Sequence, residues 1–101
     1  MKLPKPTTLT GRALYRLMKG KLTHRQFQDI TGTHRLSEYI RVLRADYGLD
    51  IDTEMKPVVT RDHGRKTTFG IYSIQRDSAR RVYSSLGFDG WMRSVEAFEL
   101  S

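Results

Sequence analysis

The chain has 101 residues, with 18 Lys and Arg against 11 Asp and Glu for a formal net charge of +7, and is 38% hydrophobic. That length gives one domain with a modest core, and an aromatic share of 10% argues against wholesale disorder. The absence of cysteine excludes a disulfide scaffold, a Cys-containing zinc site and a thiol nucleophile.

Residues 1–8 hold two prolines and two lysines without periodicity, and residues 1–9 read as a flexible basic arm. The opening Met1-Lys2-Leu3-Pro4 lacks the apolar stretch of a secretory signal. No apolar run reaches the roughly 20 residues of a membrane span, so the chain reads as soluble and cytoplasmic. Helix periodicity begins at Thr10, a candidate cap. Leu14, Leu17 and Met18 share a stripe, and Gly20 follows as a stop. Lys21-Leu22 is a short link with the option of a two-residue strand. Thr23-His24-Arg25-Gln26 then fits a capping box that opens a two-turn helix carrying Phe27 and Ile30, stopped by Gly32.

Thr33 is the expected cap of a third helix. Leu36, Tyr39, Ile40 and Leu43 form its apolar stripe, and His34, Arg35, Ser37, Glu38, Arg41 and Arg44 form the opposite face. It is expected to end near Asp46-Tyr47-Gly48. The period then changes. Two strands around the turn Arg61-Asp62-His63-Gly64-Arg65-Lys66 predict a β-hairpin, with Pro57 marking the first strand as an edge or bulged strand. Residues 77–101 predict one or two further helices. Ala79, Val82, Tyr83 and Leu86 form one stripe, and Trp91, Val95 and Phe98, with Met92 beside them, form another. The charge follows these divisions: ten basic and four acidic side chains in residues 1–50, seven and four in 51–81, one and three in 82–101.

The expected fold class is therefore α+β: a winged helix-turn-helix (three-helix bundle plus β-hairpin wing) over residues 10–76, with a C-terminal helical extension at 77–101. In such a pair the second helix enters the major groove N-terminus first. Thr33, His34, Arg35, Ser37, Glu38 and Arg41 would face the bases. Arg suits guanine O6 and N7, Glu suits cytosine N4, and Ser or Thr suits either partner. Thr23 and Arg25 open the preceding helix, and Arg61, Arg65 and Lys66 crown the hairpin; all five suit phosphate contacts. Each has a bland alternative as a solvated or strand-edge polar residue. Met92 and the apolar residues Trp91, Val95 and Phe98 either pack on the chain's own core or form a homodimer interface.

Residues 10–75 resemble the small winged helix-turn-helix domains common in bacteriophage and prophage proteins. The likeness rests on the helix ending at Gly20, Leu22-Thr23 before the short helix, Arg35-Leu36 with Tyr39-Ile40 and Leu43-Arg44, and Tyr47-Gly48-Leu49-Asp50-Ile51 leading into the hairpin. Where family members carry Leu-Arg-x-x-Gly, this chain has one more residue before Gly48. The resemblance implies a transcriptional regulator or phage accessory factor on double-stranded DNA, in the cytoplasm of a bacterial or phage-infected cell.

Enzyme motifs are missing: there is no GxxxxGK[ST], GxGxxG, HExxH or GxSxG. His24, His34 and His63 lack metal-ligand spacing. Asp50, Asp52 and Glu54 could share a strand face as a divalent-ion site, but the ordinary polar face of an edge strand explains them as well. The expectation is a non-catalytic protein without metal or cofactor. The rival expectations are an adaptor or inhibitor that binds a host protein, and, ranked below it, an RNA-binding module.

Overall fold

A computed structural model describes residues 1–59 and 66–100, with only the backbone described at residues 58, 59, 66 and 67. Helix α1 spans Leu9–Lys19. Its cap is Thr8 rather than Thr10: the Thr8 hydroxyl accepts from the Gly11 amide at 3.1 Å and donates to the Lys5 carbonyl at 2.6 Å. This turn folds the preceding segment onto the helix. A Cβ at Gly11 would lie 2.2 Å from the Lys5 carbonyl oxygen, so only glycine admits the close approach.

Strand β1, Leu22–Thr23, leads directly into α2, His24–Thr31. The capping box forms as its residue types require. The Thr23 hydroxyl accepts from the Gln26 amide at 3.2 Å, and the Gln26 side-chain oxygen accepts from the Thr23 amide at 3.0 Å. Gly32 ends α2 at φ 77°, a left-handed conformation that favours glycine. Helix α3 spans Leu36–Ala45, and the Phe27 and Tyr39 rings, 6.2 Å apart, set α2 against it.

Strands β2 (Ile51–Val59) and β3 (Lys66–Ile74) pair antiparallel in continuous register from Ile51↔Ile74 to Val59↔Lys66. β1 adds to the other side of β3 through Leu22↔Tyr72 and Thr23↔Ile71, so the strand order is β1-β3-β2. β2 is thus an edge, where Pro57 lacks no ladder donor the sheet needs. Ile51 and Tyr72 point into the core, whereas residues 52–57 are all exposed, so this part of β2 stands clear of the body.

Helices α4, Arg76–Tyr83, and α5, Phe88–Leu100, complete an α+β fold of five helices and a three-stranded antiparallel sheet among the described residues. One core cluster joins Leu14, Leu17, Phe27, Ile40, Leu43, Ile51, Val82, Trp91 and Val95. It includes residues of the expected C-terminal extension. The N-terminal segment expected to be a free arm also joins the body. Pro4 is buried, Leu3 packs on the core, and the Trp91 indole N–H donates to the Pro4 carbonyl at 2.6 Å. The expected α4 stripe is only half realised: Val82 is buried, but Tyr83 is largely exposed and Leu86 fully so. The helix stops at Tyr83, before Leu86 can continue the stripe, and the chain turns at Gly87, φ 78°. No helix among the described residues is long and apolar enough to cross a membrane.

Candidate nucleic-acid interface

The turn between α2 and α3 is built by two side chains that make three hydrogen bonds. The Thr31 hydroxyl donates to the Phe27 carbonyl at 2.7 Å and accepts from the Thr33 amide at 3.3 Å. The Thr33 hydroxyl in turn accepts from the Arg35 amide at 3.2 Å. Thr33 therefore closes a local turn instead of capping α3, which starts three residues later with Arg35 at its cap position and no side-chain cap. His34 and Arg35 lie in this turn, both exposed, ahead of the helix rather than on it.

On α3 itself, Leu36, Ile40 and Leu43 face the core, and Ser37, Glu38 and Arg41 face outward as their spacing predicts. Glu38 and Arg41 are not independent. They form an ion pair one turn apart, with side chains 53% and 64% exposed. The Arg41 hydrogen bond and charge hold the Glu38 carboxyl below its ordinary pKa, with a lesser pull from Arg35, and the same pair raises the Arg41 guanidinium. The pair engages the Nε and Nη2 of Arg41 with the two carboxylate oxygens of Glu38.

The Thr23 hydroxyl is committed to the capping box, which leaves exposed Arg25 as the cation at the start of α2. His24 lies against the sheet, its Nε2 3.4 Å from the Tyr72 hydroxyl. Arg61 and Arg65 lie outside the described residues. Lys66 begins β3 opposite Val59, at the outer end of the hairpin.

Trp91 and Val95 do not face outward. They are 7% and 0% exposed within the chain's own core, Met92 packs beside them, and Phe98 lies under the Arg12 guanidinium at 5.4 Å. Trp91 and Val95 are therefore spent inside the protomer, where α1 and the N-terminal segment provide their partners, while Met92 is partly buried and Phe98 stays 42% exposed. Glu99 pairs with Arg12 and Arg16, and the Tyr15 hydroxyl donates to Glu96 at 3.0 Å. Periodicity gave no hint of these contacts or of the bonds around the loop after α3. There Arg44 reaches Ile51 and Thr53, Arg81 donates to the Gly48 carbonyl at 2.9 Å, and the Asp50 amide donates to Ser78 at 2.8 Å. The one available signal was a cation in the last turn of α3. Among the described residues no three His, Asp or Glu side chains converge as metal ligands would. No family model matches the chain, and no curated protein matches it.

Proposed function

We propose that the chain is a winged helix-turn-helix protein that binds double-stranded DNA without catalysis, as a transcriptional regulator or phage accessory factor. The observation that carries this is the junction at β1. The two residues before α2 pair with the inner strand of the hairpin, so α2, its turn, α3 and the hairpin are held in one frame. That frame presents Arg25, His34, Arg35, Ser37 and the Glu38–Arg41 pair to solvent, with residues 52–57 of the hairpin exposed beside them. A helix and a two-stranded ribbon are the shapes that fit B-DNA grooves. Arg35 and Ser37 are the assigned base readers, with His34 beside them. Arg41 and Glu38 meet bases as a paired unit, with the guanidinium donors that the pair leaves unused. Arg25, Arg61, Arg65 and Lys66 position the module on phosphates. The net charge of +7 favours the encounter.

Fluorescence anisotropy with a labelled random duplex over a salt series tests this. Binding that falls steeply on a log–log plot supports DNA, because each neutralised phosphate adds about 0.9 to the slope. No binding at low salt would replace DNA with a protein partner.

A further inference from the structure

The last turn of α3 holds a contact that no solvated cation would make. Arg44 donates to the Ile51 carbonyl from Nε at 3.1 Å and from Nη2, and Nη2 also reaches the Thr53 hydroxyl at 2.8 Å. Ile51 and Thr53 are the first and third residues of β2 and share one face of the strand, opposite Ile74 and Tyr72. The Asp50 carbonyl accepts from the Gln75 amide at 2.9 Å, toward β3. The Ile51 carbonyl therefore points the other way, to the open edge of the sheet, because successive strand carbonyls alternate. Arg44 fills an edge acceptor and ties the end of α3 to the root of the hairpin with a planar fork.

We propose that Arg44 is a positioning residue that fixes the angle between α3 and the hairpin, so that both meet one duplex at once. This rests on the DNA-binding function proposed above. The loop of residues 46–50 is the covalent link between the two elements and includes Gly48 at φ 63°, a joint that needs bracing. Arg81 and Ser78 brace the loop itself, at the Gly48 carbonyl and the Asp50 amide. Arg44 instead spans it, from helix to strand. Residues 54–57 of β2 stand clear of the body, so a small rotation at this root becomes a larger displacement toward the outer end of the hairpin, where Lys66 begins β3. Arg44 acts through the hairpin and need not touch DNA.

Two variants separate positioning from direct contact. Arg44→Lys keeps the charge but cannot supply the fork, and Thr53→Val removes an acceptor without changing any charge. Two readouts are taken on the full chain: the anisotropy salt slope, and residual dipolar couplings of the α3 and hairpin amides without DNA. Positioning predicts that both variants rotate the hairpin relative to α3. It predicts that both flatten the slope, by roughly one unit for each hairpin phosphate contact given up, with Thr53→Val the milder and the double variant less than additive. A phosphate contact by Arg44 itself predicts that Lys restores the slope and Thr53→Val changes nothing, and that result overturns the proposal. Unchanged couplings in both variants overturn it too. Should the wild-type chain bind no duplex, DNA binding fails as the function, and the couplings alone still decide whether Arg44 sets the hairpin angle.

Discussion

Replacing Trp91 with Phe should cost the fold about 2–4 kcal/mol. Trp91 is 7% exposed and is the chain's single tryptophan. Two losses combine. The Pro4 carbonyl, which accepts the indole N–H at 2.6 Å in a buried setting, is left without that donor; an unsatisfied buried acceptor costs about 1–3 kcal/mol. Phe also leaves part of the indole volume empty, at roughly 1 kcal/mol against the 3–5 of a full truncation to Ala. For a domain near 100 residues this lowers the melting temperature by about 10–20 °C. Thermal unfolding followed by circular dichroism measures it. Deleting residues 2–5 removes the same acceptor, so the two changes should be less than additive, and tryptophan emission should shift red in the deletion alone. A Trp91→Phe protein that melts within a degree of wild type, or a deletion that leaves the emission unmoved, would show that the N-terminal segment does not dock on α5.

Other outcomes follow from the same contacts. Arg35→Ala should weaken specific binding by about 1–3 kcal/mol and relax preference at one base position; an equal loss on every sequence in a binding-site selection would remove its base-reading role. Glu38 should titrate in carbon NMR with a midpoint below that of an unpaired glutamate, because its folded pKa is lowered by Arg41. The stabilisation from this exposed pair is thus present above the unfolded pKa and fades only as pH falls through the lowered one. Arg41→Gln should return the midpoint upward. Gly32→Ala should destabilise by about 1 kcal/mol, because φ 77° strains any Cβ-bearing residue although the space around it is open; chemical denaturation reads this. Truncation after Leu86 should unfold the chain, since it removes Trp91 and Val95 from the core. A folded truncated protein by circular dichroism would contradict that.

Sequence periodicity read the local structure well and the long-range pairings poorly, for physical reasons. The capping box at Thr23 and Gln26, the stop at Gly32 and the edge position of Pro57 are determined within a few residues, and the structure has them. The Trp91 stripe says that one face of α5 is apolar. It does not say what covers that face, and a second copy or the chain's own α1 would give the same pattern. The start of α3 was misplaced because Thr33 has two uses for its hydroxyl, capping a helix or closing a turn, and the turn won. Glu38 and Arg41 were legible as neighbours one turn apart, but each was also a reasonable base reader. Arg44 looked like one more solvated cation because its partners lie across a loop, at Ile51 and Thr53.

The seam between α1 and α5 has a consequence for how the chain acquires its structure. Tyr15 meets Glu96 and Arg12 meets Glu99, contacts that span 81 and 87 residues. Helix α1 is therefore made before the partners on α5 that complete these contacts, which follow some 80 residues later. Loop-closure entropy is paid late in such a topology, and contacts of high sequence separation slow folding. Until Trp91 and Val95 emerge, the apolar faces that they cover stay open to water and to other chains. Synthesis rate, and any factor that shields α1 during it, then bears on yield as directly as the stability of the finished fold.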